Sequence, residues 1–390
     1  MRVLFVLTNL QIGGAQVFAL RLAQQLKKQF GIDALIYDAQ PDYREIFDDD
    51  IQIFSFSKNH LIRKITWKIN GFLTRIGFKN FQYQYNVFQL KKIIKKYGIQ
   101  IINSHMSFAD NIVFDAIKDN RNVRWIITTH GEYELYKNTP FINELIKKLD
   151  ARCNHLIYTA DKNILTSDLK KTKVPKTKIY IGVNALKEYS RDKVLQDLNV
   201  NQNDFIFCMI SRGIQEKGWE IAIEAFRKLN FEFPSTTLLL IGNGEYLKNL
   251  VNKFNHPKIK LIQLETNVLE YTKYIPISDA GILPTYYAGE SVPTVIAEFI
   301  MSGVPVIASD IGEIKNMIIH ENQMAGVLIP VENKHIMIEN LYLQMKNFLE
   351  NKPMYETLKK NTISAGKKFD ISNIAKQYHD IFYKELLKKQ

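Results

Sequence analysis

Two cysteines in 390 residues, Cys153 and Cys208, lie far apart in the chain. They form neither a disulfide framework nor a zinc-ligand spacing, which suits a cytoplasmic protein. Long hydrophobic runs are also missing, and no stretch approaches the ~18–20 apolar residues of a membrane span. The opening MRVLFVLTNLQIGGAQ holds an apolar run of only about six residues before a glycine-rich turn, a poor secretory leader. Acidic residues are absent from Ile51 to Ala109. Ten basic ones stand there: Lys58, Arg63, Lys64, Lys68, Arg75, Lys79, Lys91, Lys92, Lys95 and Lys96. Residues 1–185 hold 28 Lys/Arg against 16 Asp/Glu, a net of +12, whereas residues 186–390 hold 24 of each.

Aromatic residues such as Trp67, Phe72, Phe81 and Tyr85 are interleaved with the basic ones. Three readings stand open. A basic surface over residues 58–96 rests on an anionic membrane, where each cation contributes ~1 kcal/mol. Basic residues with stacking aromatics also bind nucleic acid, but no nucleic-acid motif accompanies them and no such partner is expected. The third reading is a solvated helix pair with its own core.

With 46% apolar and 24% charged residues the chain is a soluble globular one, long enough for two domains. Short β-branched runs alternate with helical stretches, the pattern of parallel α/β sheets. Strands are expected at 2–7, 33–38, 51–56, 99–104, 123–129 and 155–160, with a helix over 14–28. The stretch 182–203 is more polar and irregular, and places a boundary there. The pattern then restarts, with strands at 204–211, 235–242, 259–264, 279–284, 304–309 and 325–330. The expected fold is α/β, with two Rossmann-like doubly wound domains facing across a cleft. Ligands in such sheets sit beyond the carboxyl ends of the strands.

The segment GESVPTVIAE carries glutamates at 290 and 298. On one helix they would stand two turns apart, too far for an acid/base pair. Pro293 fits the first helical position and Gly303 a C-terminal stop, so Glu290 lies in a loop and Glu298 on the helix. Between them the backbone around Ser291, Val292, Pro293 and Thr294 is a helix N-terminus suited to an anion. Carboxylate, phosphate cradle, carboxylate: that order fits a nucleotide-sugar, with Glu290 on the sugar and Glu298 on the ribose. The plainer alternative is a capping acid and a surface glutamate.

Cations for a diphosphate are available in SRGIQEKGW, where Arg212 offers a planar fork and Lys217 a point charge. Gly13 and Gly14 follow the first strand and permit close approach of a ligand to the next helix. His105 and His130 each follow a strand. A lone histidine there is more often structural, but His130 precedes Gly131 where the cleft is expected. Gly242 and Gly244 begin a dinucleotide fingerprint that Leu247 breaks, which disfavours NAD. Asp48–Asp50 precede a strand, at the wrong sheet edge for a site, and read as a solvated turn. No metal and no cofactor are expected.

Taken together, SRGIQEKGWEIAIEAF, LLLIGNGEYL and PTYYAGESVPTVIAEFIMSGVPVIASDIGEI resemble the retaining GT-B nucleotide-sugar glycosyltransferases of group 1, also called family 4. IGGAQ resembles their N-terminal glycine loop, and FDISNIAKQYHDIFYKEL their last helix, which crosses back to the N-terminal domain. The resemblance covers nearly the whole chain and is strongest over 205–320. It implies an acceptor-binding domain at 1–185, completed by a crossover helix at about 371–390, and a donor-binding domain at 186–370. Arg212 and Lys217 would then neutralise the donor diphosphate and Glu298 would bind ribose. Glu290 and His130 would contact the donor sugar, His130 alternatively its phosphate. The backbone at 291–294 and at Gly13–Gly14 would cradle phosphate. Two departures stand out: Glu313 occupies a position where glycine is common, and Gln16 replaces a common Glu. The implied function is transfer of a sugar from a UDP- or GDP-sugar to a glycan or lipid-linked glycan, at the cytoplasmic face of the membrane, in cell-surface polysaccharide synthesis. Rivals are an epimerase or a phosphorylase of the same fold, a non-catalytic nucleotide-sugar-binding subunit and, last, an NAD oxidoreductase.

Overall fold

A computed structural model describes residues 1–10, 13–40, 50–55, 81–165, 167–187, 189–254, 256–264 and 268–388. The basic residues from Lys58 to Lys79, the aromatics Trp67 and Phe72, and Asp48 and Asp49 lie outside the described residues. The chain divides into two units. One is Met1–Gly182 with Ile371–Gln390, and the other is Val183–Asp370.

The first unit is built on seven parallel strands: β1 (Arg2–Leu7), β2 (Asp33–Asp38), β3 (Gln52–Ser55), β4 (Ile101–His105), β5 (Arg124–Thr129), β6 (His155–Tyr158) and β7 (Lys176–Lys178). Their order is β3-β2-β1-β4-β5-β6-β7, so the winding reverses between β1 and β4. The helix Gly14–Phe30 follows β1 directly and buries Phe18, Ala19, Leu22, Ala23 and Leu26, a helical period of apolar residues. Gly31 ends it at a φ of 64°, its N–H bonded to the carbonyl of Lys27. Against this helix packs the chain's last one, Ile371–Leu387. Phe18 meets Tyr378 edge-on, with ring centres 6.0 Å apart.

Three arginines at the amino end of this sheet have a structural task. Arg152 donates to the carbonyls of Ile117 and Asn120, Arg121 to that of Ala151, and Arg124 to that of Lys388. Each guanidinium thereby closes the carboxyl end of a helix, where the dipole favours a cation. Four of the ten basic residues, Lys91, Lys92, Lys95 and Lys96, are exposed on the helix Phe81–Tyr97. The opposite face buries Val87, Leu90, Ile93 and Ile94. That helix thus keeps an apolar core of its own and sets these four cations on its outward face.

The second unit repeats the scheme with β8 (Phe205–Ile210), β9 (Thr236–Gly242), β10 (Ile259–Gln263), β11 (Ala280–Leu283), β12 (Val306–Ser309) and β15 (Gly326–Ile329). They are parallel and ordered β10-β9-β8-β11-β12-β15. Between β12 and β15 lies a short antiparallel pair, β13 (Ile319–His320) and β14 (Gln323–Met324). The helix Trp219–Glu232 covers the sheet with Trp219, Ala222, Phe226 and Leu229. Burying Phe226 and Leu229 contributes about 1.5–3 kcal/mol each. Winding here reverses between β8 and β11, and the loops after these two strands hold Arg212, Lys217 and Glu290. Among the described residues no helix is long and apolar enough to cross a membrane.

Every strand segment read from the sequence contains a strand. Unforeseen were β7, whose KTK at the sheet edge has no apolar run to signal it, and the two-residue strands β13 and β14.

Candidate active site

In the second unit the loop after β8 turns sharply. The N–H of Gly213 donates to the carbonyl of Asn243 at 2.6 Å, and Trp219 Nε1 donates to the carbonyl of Arg212 at 2.9 Å. A short 3-10 turn, Gln215–Lys217, then ends at Gly218 with a φ of 83°. A Cβ at Gly218 would stand 2.1 Å from the carbonyl oxygen of Pro284, so only glycine lets this turn close onto the end of β11. Tyr286 N–H and Thr285 Oγ1 both donate to the Glu216 carbonyl, at 2.9 and 3.2 Å, and fasten the two loops together.

This closure makes the pair at the centre of the site. Lys217 Nζ lies 2.6 Å from Glu290 Oε2, and both residues are buried, at 7% and 5% exposure. Tyr287 lies under both cations, its ring centre 5.0 Å from Lys217 Nζ and 5.6 Å from the Arg212 guanidinium carbon. Arg212 itself is exposed.

Beyond Glu290 the chain enters the helix Thr294–Met301. Pro293 is its N-cap and not the first helical residue expected from the sequence. Its ψ of 111° is still extended, and its carbonyl accepts from Ile296 N–H at 3.0 Å. Pro293 itself offers this N-terminus no side-chain hydrogen bond. Ser291 is buried, and Val292 and Thr294 are partly exposed beside it. From the far side the loop after β12 closes in. Glu313 N–H donates to the Ser291 carbonyl at 2.9 Å, and Gly312, at a φ of 62°, sits where a Cβ would meet the Glu290 carbonyl at 2.6 Å. Glu313 is buried and accepts from Asn316 Nδ2 at 3.0 Å. Glu298, buried in the second turn of the helix, has the Tyr271 hydroxyl 2.9 and 3.0 Å from its two carboxylate oxygens.

Gly13, Gly14 and His130 belong to the first unit. Gly13 is the N-cap of the helix Gly14–Phe30, with extended backbone and no side-chain cap. Gln16 Nε2 donates to Asn9 Oδ1 at 3.1 Å in the same turn. His130 follows β5 and meets Phe18 edge-on at 6.1 Å. Its partner is His105 at the end of β4: His105 Nδ1 lies 2.9 Å from His130 Nε2, with the rings 18° from parallel. Burial pushes the His130 imidazole down to about 4. His105 is lowered further below the ordinary range by burial and by the neighbouring His130.

Lys217, Arg212, Glu290 and residues 291–294 are thus brought to one end of one sheet, at the reversal of winding where α/β sheets bind ligands. Sequence reading missed Tyr287, Tyr271 and the His105–His130 pairing. These are contacts between loops distant in the chain, and no local pattern signals them.

Comparison with known proteins adds the family. The chain matches the family model described as "Glycosyl transferases group 1" over residues 190–365, and that described as "Glycosyltransferase Family 4" over residues 12–181. An uncharacterized glycosyltransferase of Methanocaldococcus jannaschii is 25% identical over 316 residues, 78% of this chain and 82% of the relative. Alpha-monoglucosyldiacylglycerol synthase of Streptococcus pneumoniae is 23% identical over 309 residues, 70% and 69% of the two chains. Among solved structures, Anabaena HepE in complex with UDP and glucose is similar with a TM-score of 0.75 at 16% identity, covering 98% of this chain and 99% of that one.

Proposed function

Because the chain belongs to the group 1 glycosyltransferases and has their GT-B fold, we propose that it moves a sugar from a UDP- or GDP-sugar, with retention of configuration and without a metal, to a glycan or lipid-linked glycan. Its second unit binds the donor and its first the acceptor. Lys217 and Arg212 neutralise the diphosphate, the backbone at 291–294 and at Gly13–Gly14 cradles phosphate, and Glu298 accepts from the ribose hydroxyls. Glu290 and His130 contact the donor sugar. The acceptor oxygen bonds to the anomeric carbon as the bond from that carbon to the phosphate oxygen breaks, and the departing phosphate takes the acceptor's proton. Catalysis then rests on positioning and on stabilising the departing charge.

One observation carries this reading: the buried Lys217–Glu290 pair beside the N-terminus of the helix Thr294–Met301, at the reversal between β8 and β11. The pair holds a cation at the end of the sheet where a diphosphate bound at that helix N-terminus would meet it. The test is calorimetric binding of UDP-, GDP- and ADP-sugars with and without EDTA. Binding of one nucleotide class, unaffected by EDTA and lost in Lys217→Ala, is the expected result. A folded chain that binds none of them sinks the donor site. Binding without transfer to any acceptor favours the non-catalytic subunit, and inversion at C2 of the sugar favours the epimerase.

Cell-surface polysaccharide synthesis at the cytoplasmic face of the membrane is the proposed setting, on the charge asymmetry of residues 1–185. The Streptococcus pneumoniae relative, by its name a synthase of a glucosyl lipid, favours a lipid as a second acceptor class. Flotation with anionic liposomes checks the membrane part; protein left at the bottom of the gradient removes it.

A further inference from the structure

At the carboxyl ends of β4 and β5 a chain of hydrogen bonds leaves the protons little freedom. Asn103 Nδ2 donates to the Ile126 carbonyl and to Thr128 Oγ1, each at 3.1 Å. A carbonyl only accepts, so this contact fixes which way the amide faces. Asn103 Oδ1 is then the atom 3.0 Å from His105 Nε2. It too only accepts, so His105 carries a proton on Nε2. A neutral His105 keeps a bare Nδ1, which accepts from His130 Nε2 at 2.9 Å. His130 is therefore protonated on Nε2 and, when neutral, bare on Nδ1. That Nδ1 has no partner among the described residues, and His130 is partly exposed. Burial, with no carboxylate of the described residues at hydrogen-bond distance from either ring, keeps both imidazoles neutral.

The surroundings hold the rings still. Phe18 and Phe5 contact His130 and His105. The segment after His130 is tied down through Tyr133, whose hydroxyl donates to Asp110, a residue that also accepts from Ser104. Asn103 is anchored in turn through Thr128, which lies 3.2 Å from the Tyr378 hydroxyl.

We propose that Asn103 and His105 are positioning residues that lock His130 in the Nε2–H tautomer, so that it offers its ligand a hydrogen-bond acceptor and no donor. On the reading of His130 as a donor-sugar contact, on which this part rests, the consequence is a substrate class. Nδ1 receives a hydroxyl proton of a neutral sugar. It turns away a carboxylate or phosphate oxygen, which would put two lone pairs face to face. Of the two contacts open to His130, sugar or phosphate, this geometry selects the sugar.

The test uses the full chain labelled with 15N-histidine and long-range proton–nitrogen correlation of the ring nitrogens at pH 7.5. Signals of His130 are those lost in His130→Gln. A bare Nδ1 and a protonated Nε2 in the unliganded protein are expected; a protonated Nδ1 overturns the proposal. His105→Leu should release His130 into a mixture of tautomers. His105→Gln, whose amide can accept at one end and donate at the other, should restore the single form. An unchanged His130 spectrum in His105→Leu shows that something else fixes the ring, and the proposal fails. Binding of UDP-glucose and UDP-glucuronate then reads the consequence: the uncharged sugar is expected to bind about tenfold tighter, the worth of one misdirected hydrogen bond. Tighter binding of the uronate overturns the acceptor-only assignment. Should neither of these nor any GDP- or ADP-sugar bind while the tautomer is as expected, the proton arrangement stands and the donor reading falls.

Discussion

Removing either partner of the Lys217–Glu290 pair separates its two roles. At 2.6 Å the two charges attract by roughly 6 kcal/mol at an effective dielectric constant of about 20. Most of that offsets the loss of water by two buried ions, so the intact pair adds little net stability. Breaking it is another matter, because the remaining charge stays buried without compensation, at a cost of about 3–5 kcal/mol. Lys217→Ala is therefore expected to destabilise the second unit by ~3 kcal/mol or more. Glu290→Gln still offers Lys217 an amide oxygen and should cost only ~1–2 kcal/mol. The double variant should lose less than the sum, with a coupling of ~1–3 kcal/mol. Binding should split the two variants in the opposite sense. Glu290 occupies the cation that a diphosphate needs, so Glu290→Gln is expected to bind UDP about fivefold tighter, ~1 kcal/mol, while transferring sugar more slowly. Lys217→Ala should lose UDP binding. Urea unfolding of the three variants and calorimetry with UDP measure all of this. Additive stabilities, or UDP affinity unchanged or weaker in Glu290→Gln, would refute the reasoning.

Gly218→Ala forces a side chain onto a left-handed residue whose Cβ would stand 2.1 Å from the Pro284 oxygen. It should cost at least ~2 kcal/mol in urea unfolding and weaken UDP binding along with it. Glu298→Gln is expected to weaken UDP about tenfold, the worth of a hydrogen bond to a charged acceptor, yet leave inorganic pyrophosphate binding unchanged. A parallel loss for both ligands would remove Glu298 from the ribose. Stability should also depend on pH through His130. Its folded pKa of about 4 lies below the ordinary ~6.5 of an unfolded histidine, so the unfolded chain binds more protons in between. Stability is thus full above about 6.5 and falls as the pH drops toward 4, by up to ~3 kcal/mol from this ring. Urea midpoints at pH 7.5 and 5 read the slope, and His130→Asn should flatten part of it.

How much of this was legible in the sequence follows from where the information sits. Strands such as RVLFVL and TTLLLIG announce themselves because a strand of a parallel sheet is buried on both faces, and apolar residues then follow one another without alternation. The helix after β11 was placed within a residue, since Pro293 and Gly303 mark its two ends by backbone chemistry alone. Even there the local rule was only nearly right. Pro293 caps the helix from outside because its residue must still carry the chain in from the Glu290 loop. KTK at the sheet edge escaped notice, as an edge strand needs no apolar run.

Side-chain meetings across loops are of another kind. Lys217 and Glu290 each stood out singly, on the grounds that a diphosphate and a sugar need a cation and a carboxylate. Their direct contact depends on Gly218 letting one turn sink onto the end of β11, a tertiary event that no local window records. His105 shows the converse. Taken alone, a histidine after a strand reads as structural, and so it is in one sense, fully buried and neutral. But strand pairing sets His105 beside Thr128 in the register of β4 with β5, and the turn after β5 brings His130 to its ring. The same burial that makes His105 structural keeps it neutral, so that with its Nε2 proton held by Asn103 its Nδ1 can only accept from His130. On the proposal made for His130, a structural and a functional role are then not alternatives at this position, because the rigid tautomer of one ring would set what the next can recognise.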